Sequence, residues 1–583
     1  MDDSYYLNII KSDSSNFFSL FNVFGKVFNQ GEYRPVTSFI LGIENYIFGL
    51  NPKIFHFFNL IYYSILIYTI YHFIEKNKIF DSQLHNLLFL LLFASHPTHV
   101  EVVASIKNRE SILSLFFCLI YFIHLEKALF EEKKIYYLSA IFFSFLSFFS
   151  KRDCAPLLIF GVPLLLVLKV DLINVLSFCK ERYQFIISFL VLFILINFYA
   201  EIANIFILPN KPDLVFTYVD HSENPFFGTN NLMDKVKVVY YSICFYLCKI
   251  ILPVNLYFYY GYTEGLYYAI GTIILIAITT IFYQTENKTK ALKFSFLWSI
   301  SGIFFFLNIM DFVAGIVSIR YLFPSSFGIL LLFSYLVWNS VFLLGKNRYK
   351  FTLLAITIFI FSIISINETN DWKNFDALFK GDSNVFKKSN VANRIAGEYY
   401  YEAFKDSDFK NLYYRNLSKS YCQNGLYISP NDVDLLNTKS NIFLSEGNLD
   451  SAEITVYQSI KLDSLNFKGY GIYSYILNEK GKYNDAILLL KNAFIIKQKF
   501  EIFRDINRLY FKNNLIDSAL EFNQMYKNNL KLYPELPRNI GDCYLLKGDT
   551  INAIKQYKIA FKHGLNNEIL AKQISDYELL LKK

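Results

Sequence analysis

The chain contains no Cys-x-x-Cys pair. Its seven cysteines stand scattered at 118, 154, 179, 244, 248, 422 and 543, with no metal-ligand spacing and nothing that implies a disulfide framework. Cys244 and Cys248 share a helical face, but inside an apolar run where thiols pack as core. No Lys/Arg-rich block occurs and the formal net charge is a modest +8, so nucleic acid is not an expected partner. Nor is a signal peptide expected in the opening residues. Met1 is followed at once by Asp2 and Asp3, and the first 35 residues hold no apolar run of spanning length.

What is plentiful is apolar and aromatic surface. Of 583 residues 54% are hydrophobic and 19% aromatic, with 62 Phe and 45 Tyr, too apolar for an ordinary soluble protein and too long for one domain. The excess is uneven. Residues 54–367 carry nearly all the long apolar runs, whereas 368–583 read as polar and soluble. The expected domains are an external loop with interfacial helices at 1–53, a transmembrane domain at 54–367, a linker at 368–390 and a repeat domain at 391–583.

Apolar runs at 54–74, 86–105, 110–126, 135–150, 154–170, 184–208, 236–253, 266–284, 293–311, 326–345 and 350–367 predict a bundle of about ten to eleven spans. Several are short for a full crossing, so tilt and half-crossings are expected. Lys76, Lys78, Lys127, Lys133, Lys134, Lys169, Lys180 and Arg182, and later Lys288, Lys290, Lys293, Lys346, Arg348 and Lys350, sit in short loops that favour the cytoplasm. The parity closes if 236–253, which carries Lys237 and Lys249, does not cross. The N-terminus, the 207–235 and 312–325 loops and the C-terminal segment then lie outside the cytoplasm. The richness in Phe, Ile, Asn, Lys and Tyr suits an AT-rich bacterial genome, so the expected location is a bacterial inner membrane with the repeats in the periplasm.

The C-terminal segment repeats. SEGNLDSAEITVYQSIKLDS at 445–464 matches the second half of a tetratricopeptide unit, and its small residue Ala452 recurs as Ala486, Ala519 and Ala553, at spacings of 34, 33 and 34. Gly447, Gly481 and Gly548 mark the turn before the second helix, with Asn514 in that place in the third unit; a degenerate unit covers 391–430. The predicted fold class is therefore all-α: a polytopic membrane helical bundle followed by a tetratricopeptide α-solenoid.

Residues 86–126 interrupt two apolar runs with a polar insert: His96, Pro97, His99, Glu101, Lys107, Arg109 and Glu110. Each ionised group near a bilayer centre costs about 2.5–3.5 kcal/mol on insertion scales, so such a cluster is expected at a bundle interior or wet cavity. His-x-x-His puts both imidazoles on nearly one helical face, as a zinc pair would have them, but Pro97 disturbs that geometry and no fourth ligand is evident. Orientation of a neighbouring loop, or plain structural contacts, suits the two histidines and Glu101 as well. Lys107, Arg109, Lys151, Arg152 and Arg320 fall at the external face against the positive-inside trend, which points to an anionic phosphate; snorkelling at a span end is the alternative for Arg320. Asp2 and Asp3, as adjacent carboxylates that raise each other's pKa, suit a proton acceptor or else a solvated terminus. Tyr257, Tyr259, Tyr260 and Tyr262 can stack on a sugar ring or form an interfacial belt.

These residues stand in a recognisable order. Asp2-Asp3 with Tyr5, Tyr33-Arg34-Pro35-Val36, Leu50-Asn51-Pro52 with His56 and Asn59, and His96-Pro97-Thr98-His99-Val100-Glu101 with Arg109-Glu110 come first. Ser150-Lys151, Asn224-Pro225, Tyr260-Gly261-Tyr262, Arg320-Tyr321-Leu322-Phe323-Pro324-Ser325 and Asp371-Trp372 follow. As a set they resemble the transmembrane-and-tetratricopeptide-repeat O-mannosyltransferases, which have the GT-C fold of polyprenyl-phosphate-sugar glycosyltransferases. The sequence departs from that pattern at Arg152, where an acid follows the lysine, at Ile319, where Glu precedes the arginine, and in the membrane helix the family carries before its acidic pair.

The resemblance implies a hexosyltransferase that takes a sugar from a polyprenyl-phosphate carrier to a hydroxyl, with protein Ser or Thr recruited by the repeats as the expected acceptor. Asp2, Asp3 and Glu101 are then the expected catalytic residues. Arg34, His96, His99, Arg109, Lys151, Arg152, Tyr260 and Arg320 are the expected substrate-binding ones. Membrane lipid is an expected partner. No cofactor is expected; the chemistry permits a divalent metal without requiring one. Two other readings remain open: a same-fold enzyme with a glycan or lipid acceptor, and a non-catalytic membrane-anchored repeat scaffold.

Overall fold

A computed structural model describes residues 34–131, 133–170, 174–181, 231–260, 265–284, 290–309, 316–338, 347–381, 389–496, 500–527 and 535–562, with a few isolated positions besides. Every regular element among the described residues is helical. The chain divides into two compact units, Met1–Ala392 and Asn393–Lys583.

In the first unit, α1 (Pro35–Phe48) and α2 (Pro52–Lys76) both open on a proline, whose missing N–H is no loss in a first turn. Asn51 caps α2, its side-chain oxygen accepting from the Lys53 N–H at 3.1 Å. α3 (Gln83–Ala94) ends because His96 precedes Pro97 and is held extended, at φ −68° and ψ 124°. A 3-10 turn, Pro97–His99, then leads into α4 (Val100–Ala104), and the axis bends by 50° across the break.

α5 (Arg109–Glu131) and α6 (Lys134–Ser150) follow as a packed pair, and a 3-10 turn Arg152–Cys154 leads into α7 (Ala155–Ile159) and α8 (Gly161–Lys169). The apolar run 154–170 is thus broken, since Pro163 has no N–H for the Ile159 carbonyl; the nearby Leu158 carbonyl accepts from the Tyr121 hydroxyl at 3.1 Å. Then come α9 (Val175–Glu181), α10 (Leu232–Ile251), α11 (Leu266–Gln284), α12 (Lys290–Ile303), α13 (Phe323–Trp338, entered through the 3-10 turn Ile319–Leu322), α14 (Asn347–Asp371) and α15 (Phe375–Gly381).

Among the described residues four helices are long and apolar enough to cross a membrane, Pro52–Lys76, Arg109–Glu131, Ile319–Trp338 and Tyr349–Asp371, or five if the bent pair of α3 with Pro97–Ala104 is one span. The protein is a membrane protein built as a helical bundle. The gap from ten or eleven apolar runs has local causes: the break at Pro163, the shortness of Ile135–Ser150 and Tyr267–Thr280, and the 184–208 run, almost all of which lies outside the described residues. α5 and α13 are largely enclosed while α2 and α14 turn much of their surface outward, so the polar first turn of α5 lies deep in protein.

Among its described residues the second unit is a tetratricopeptide solenoid of five helical hairpins: α16 (Asn390–Asp406) with α17 (Leu412–Ile428), α18 (Val433–Ser445) with α19 (Leu449–Leu462), α20 (Phe467–Glu479) with α21 (Tyr483–Ile496), α22 (Phe500–Lys512) with α23 (Ile516–Met525), and α24 (Leu536–Leu546) with α25 (Thr550–Lys562). The four predicted turn residues are all left-handed, Gly447 at φ 74°, Gly481 at 74°, Asn514 at 55° and Gly548 at 82°, the region glycine and asparagine tolerate best. Ala452, Ala486, Ala519 and Ala553 are fully buried against their partner helices. In the first hairpin Ser418 takes the alanine's place and donates to the Gly397 carbonyl at 2.7 Å.

Gly541 provides a test of this packing. A Cβ there would lie 2.6 Å and 2.7 Å from the ring of the buried Tyr557. Gly541→Ala is expected to cost about 1–3 kcal/mol through overpacking, seen as faster hydrogen exchange confined to α24 and α25. Unchanged exchange there would show that the ring yields freely.

Candidate functional site

The polar insert is suspended between α2 and α13. Asn59, on α2, donates through Nδ2 to the carbonyls of Val103 and Ser105, both at 3.0 Å, and so fixes the end of α4. His99 is bracketed by the Tyr63 hydroxyl at Nδ1 and by Ser326 Oγ at Nε2, each at 2.9 Å. Ser326 spends its own proton on the Phe323 carbonyl, which makes His99 Nε2 the donor, while Nδ1 faces the Tyr63 hydroxyl, which also reaches the Phe93 carbonyl at 3.2 Å. His96 follows the same logic: Nε2 donates to the Ile250 carbonyl at 2.9 Å, and Nδ1 accepts from Thr98 at 2.7 Å. Neither ring keeps a free lone pair, and among the described residues no group of three His, Cys, Asp or Glu side chains could hold a metal ion. The two histidines hold the short helix in place.

From this helix Glu101 reaches Arg320, 219 residues later in the chain, with Oε1 at 3.3 Å from Nη1. Glu101 is only 7% exposed while Arg320 is 32% exposed, so the pair has a closed acidic side and an open cationic side. The guanidinium also lies over the Tyr321 ring at 5.3 Å, and that ring stacks on Phe306 at 4.3 Å. α10 packs against the Ile319–Leu322 turn that carries this arginine.

A second cluster lies at the start of α5. Arg109 is wholly buried; Nη1 meets Glu44 Oε2 at 2.5 Å and Nη2 donates to the Phe55 carbonyl at 2.8 Å, with the rings of Phe55 and Tyr62 at 5.8 Å and 5.7 Å. Tyr62 donates to the other Glu44 oxygen at 2.6 Å. Next to it Glu110 joins Arg34 to Lys151, in contact with the first and at 3.5 Å from the Nζ of the second. Lys151 Nζ also lies 2.8 Å from Asp153 Oδ2 and donates to Ser111 Oγ at 2.8 Å, and Ser111 in turn donates to Asp153 at 2.8 Å. Burial lowers the Lys151 pKa, but Asp153 and Glu110 outweigh it, so the amine sits above the ordinary lysine range and stays charged.

Charge balance separates the two clusters. Arg34, Arg109 and Lys151 are matched by Glu44, Glu110 and Asp153, all enclosed. Arg320 pairs with Glu101 and is still one-third exposed, so an anion arriving from outside can reach its guanidinium.

No family model matches the chain. Among curated proteins it is similar to protein O-mannosyl-transferase TMTC1 of Mus musculus, 29% identical over 97 residues that make up 17% of this chain and 10% of that protein. It is similar to TMTC3 of Homo sapiens at 30% over 91 residues, 16% of this chain and 10% of the relative, and to TMTC4 of Homo sapiens at 33% over 129 residues, 20% and 17%. The matches thus span 10–17% of those relatives' length. Among solved structures it is similar to a thermophilic TPR protein of Thermus thermophilus, 17% identical with a TM-score of 0.24 over 31% of this chain and 99% of that one. It is also similar to yeast Tom70, 12% identical with a TM-score of 0.28 over 100% and 97%. Structural likenesses this slight carry no argument. The chain resembles the TMTC proteins over a limited stretch and carries tetratricopeptide repeats.

Of the residues singled out from sequence, Glu101 and Arg320 meet directly, and Arg34 and Lys151 meet through Glu110. Arg109 stands apart, wholly enclosed. Arg152 is half-buried in the turn before α7, and the acid beside Lys151 is Asp153, one residue beyond the position the family pattern uses. Tyr260 is buried, accepting from the Tyr257 N–H at 2.7 Å and donating to the Asn255 carbonyl at 3.1 Å. Asp2, Asp3, Tyr33, Asn224, Pro225 and Tyr262 lie outside the described residues. Glu44, Ser111 and Asp153 were missed. The signal for Glu44 was a lone acid in the otherwise apolar stretch of α1.

Proposed function

We propose that this chain is a membrane glycosyltransferase, moving a sugar from a polyprenyl-phosphate carrier to a hydroxyl outside the cytoplasm. The observation that carries the reading is the Glu101–Arg320 pair: an arginine held in place by an enclosed carboxylate yet one-third open, backed by a tyrosine ring. A planar fork so held suits a lipid phosphate in the role of leaving group. The acceptor oxygen attacks the anomeric carbon, the carbon–oxygen bond to the phosphate breaks, and the phosphate departs with the bonding pair toward Arg320. The acceptor's proton passes to a carboxylate, for which Asp2 or Asp3 is proposed, with Glu101 fixing the arginine. Transfer is proposed to need no metal. The acceptor is proposed to be a protein Ser or Thr presented by the repeats, in a bacterial inner membrane with the repeats in the periplasm. The naming of the similar TMTC proteins as O-mannosyl-transferases supports mannose as the first sugar to try.

Membrane vesicles supplied with polyprenyl-phosphate-linked mannose and a Ser/Thr-rich peptide test this. Arg320→Ala is expected to lower the transfer rate by about 10²–10³, the usual loss on removing one group that stabilises transition-state charge, and Arg320→Lys by less. Wild-type protein that modifies no peptide but does modify a lipid or glycan favours the same-fold alternative. Wild-type protein inert toward all three acceptor classes leaves the scaffold reading.

A further inference from the structure

The last turn of α10 carries Lys249, which is 2% exposed. An ammonium so enclosed normally sits beside a carboxylate, because removing it from water is costly. Among the described residues no acid lies within ion-pair distance of it. Its Nζ instead donates to the carbonyls of Val254 and Asn255, both at 2.8 Å, and is ringed by Tyr260 and Tyr267 at 5.2 Å, Phe245 at 5.7 Å and Tyr257 at 5.9 Å. Such rings offer their negative faces to a cation.

The chain beyond α10 therefore wraps round its own lysine. Asn255 adopts φ 54°, a left-handed conformation that turns its carbonyl onto the ammonium, and the Tyr260 hydroxyl closes the turn between the Asn255 carbonyl and the Tyr257 N–H. This turn is joined to the site from two sides. The Ile250 carbonyl, next to Lys249, accepts from His96, and α10 packs against the Ile319–Leu322 turn that carries Arg320. On the far side Phe258 packs on the buried Phe379 of α15, with ring centroids 5.7 Å apart.

We propose that Lys249 is a positioning residue, an internal cation around which the Leu252–Tyr260 turn is moulded so that it stands as a fixed wall beside the Glu101–Arg320 pair. The proposal rests on the transferase reading only for what the wall serves. The order of the turn is a separate matter that needs no substrate to measure.

The test is hydrogen exchange on the full-length protein in nanodiscs, comparing wild type with Lys249→Met, which keeps the stem and removes the charge. Exchange across 252–260 is expected to rise at least about tenfold while α5 amides stay unchanged. In the transfer assay kcat is expected to fall with donor KM within about twofold, and Lys249→Arg to restore part of the loss. Unchanged exchange in the turn would overturn the proposal, as would an equal rise throughout the bundle. If Lys249→Met does not yield folded protein, Tyr260→Phe opens the same clasp from its other side; faster exchange at the Tyr257 amide is expected, and no change there would be as damaging. A wild type without transferase activity sinks the proposed function, yet the exchange measurement still decides what Lys249 does.

Discussion

Arg109→Met is expected to destabilise the membrane unit by about 3–5 kcal/mol, and the double variant Arg109→Met/Glu44→Gln to recover most of that loss. Arg109 is wholly enclosed, and methionine replaces its aliphatic stem with little change in packing. What the single change leaves behind is the buried Glu44 without its cation, the Tyr62 hydroxyl still donating to it at 2.6 Å. Glu44→Gln alone leaves the guanidinium with the Phe55 carbonyl and two aromatic faces. Removing both partners removes the uncompensated charge, so the cycle should show a coupling of at least about 2–3 kcal/mol. Denaturant unfolding in detergent micelles, read by a signal from the bundle, measures all four corners. Additive losses, with the double variant the least stable, would mean the two side chains act independently.

This pair also shows what one sequence can and cannot disclose. Arg109 reads as a cation at a membrane edge, and a phosphate is then its natural partner. Its actual acid lies 65 residues upstream on α1, and nothing local links the two. Lys151 poses the same problem at close range. The family pattern directs attention to Arg152, whereas the chain places its acid one position later and lets a 3-10 turn bring Asp153 back onto the lysine. Pairings across the bundle depend on which helices pack, and a polar residue in an apolar run reveals only that it must have a partner.

Features whose cause is local were easier to read. Asn51-Pro52 opens a helix because a cap and an N1 proline are properties of adjacent residues. The repeat period survives because each hairpin must leave room at one helix crossing, hence four buried alanines, and must reverse direction through a left-handed residue. The span count was harder, since hydropathy registers an apolar run whether or not a proline divides it. Lys249 shows the limit on the other side. A lysine in α10 argued against a crossing, but apart from Phe245 the enclosure that accommodates it is made by residues up to eighteen positions later, from Val254 to Tyr267.

Lys151 gives the second large effect, and its sign can be worked out. In the folded protein burial lowers its pKa while Asp153 and Glu110 raise it further than that, so the amine holds its proton more tightly folded than unfolded. The resulting stability is complete below the unfolded lysine pKa of about 10.4 and is lost as pH climbs through the folded value. In Glu110→Gln/Asp153→Asn both supports are gone and burial remains. The folded pKa then lies below the unfolded one, and stability should rise with pH up to about 10.4, where wild type shows no such gain from this group. At neutral pH the double variant is expected to lose about 3–5 kcal/mol, because the buried ammonium loses both Glu110 and Asp153 while the neighbouring Arg34 loses Glu110. Unfolding measured from about pH 7 to pH 10 checks both parts. A flat profile for the double variant, or a loss under about 1 kcal/mol, would mean that water enters the first turn of α5 and that Glu110 and Asp153 are not what keeps Lys151 charged.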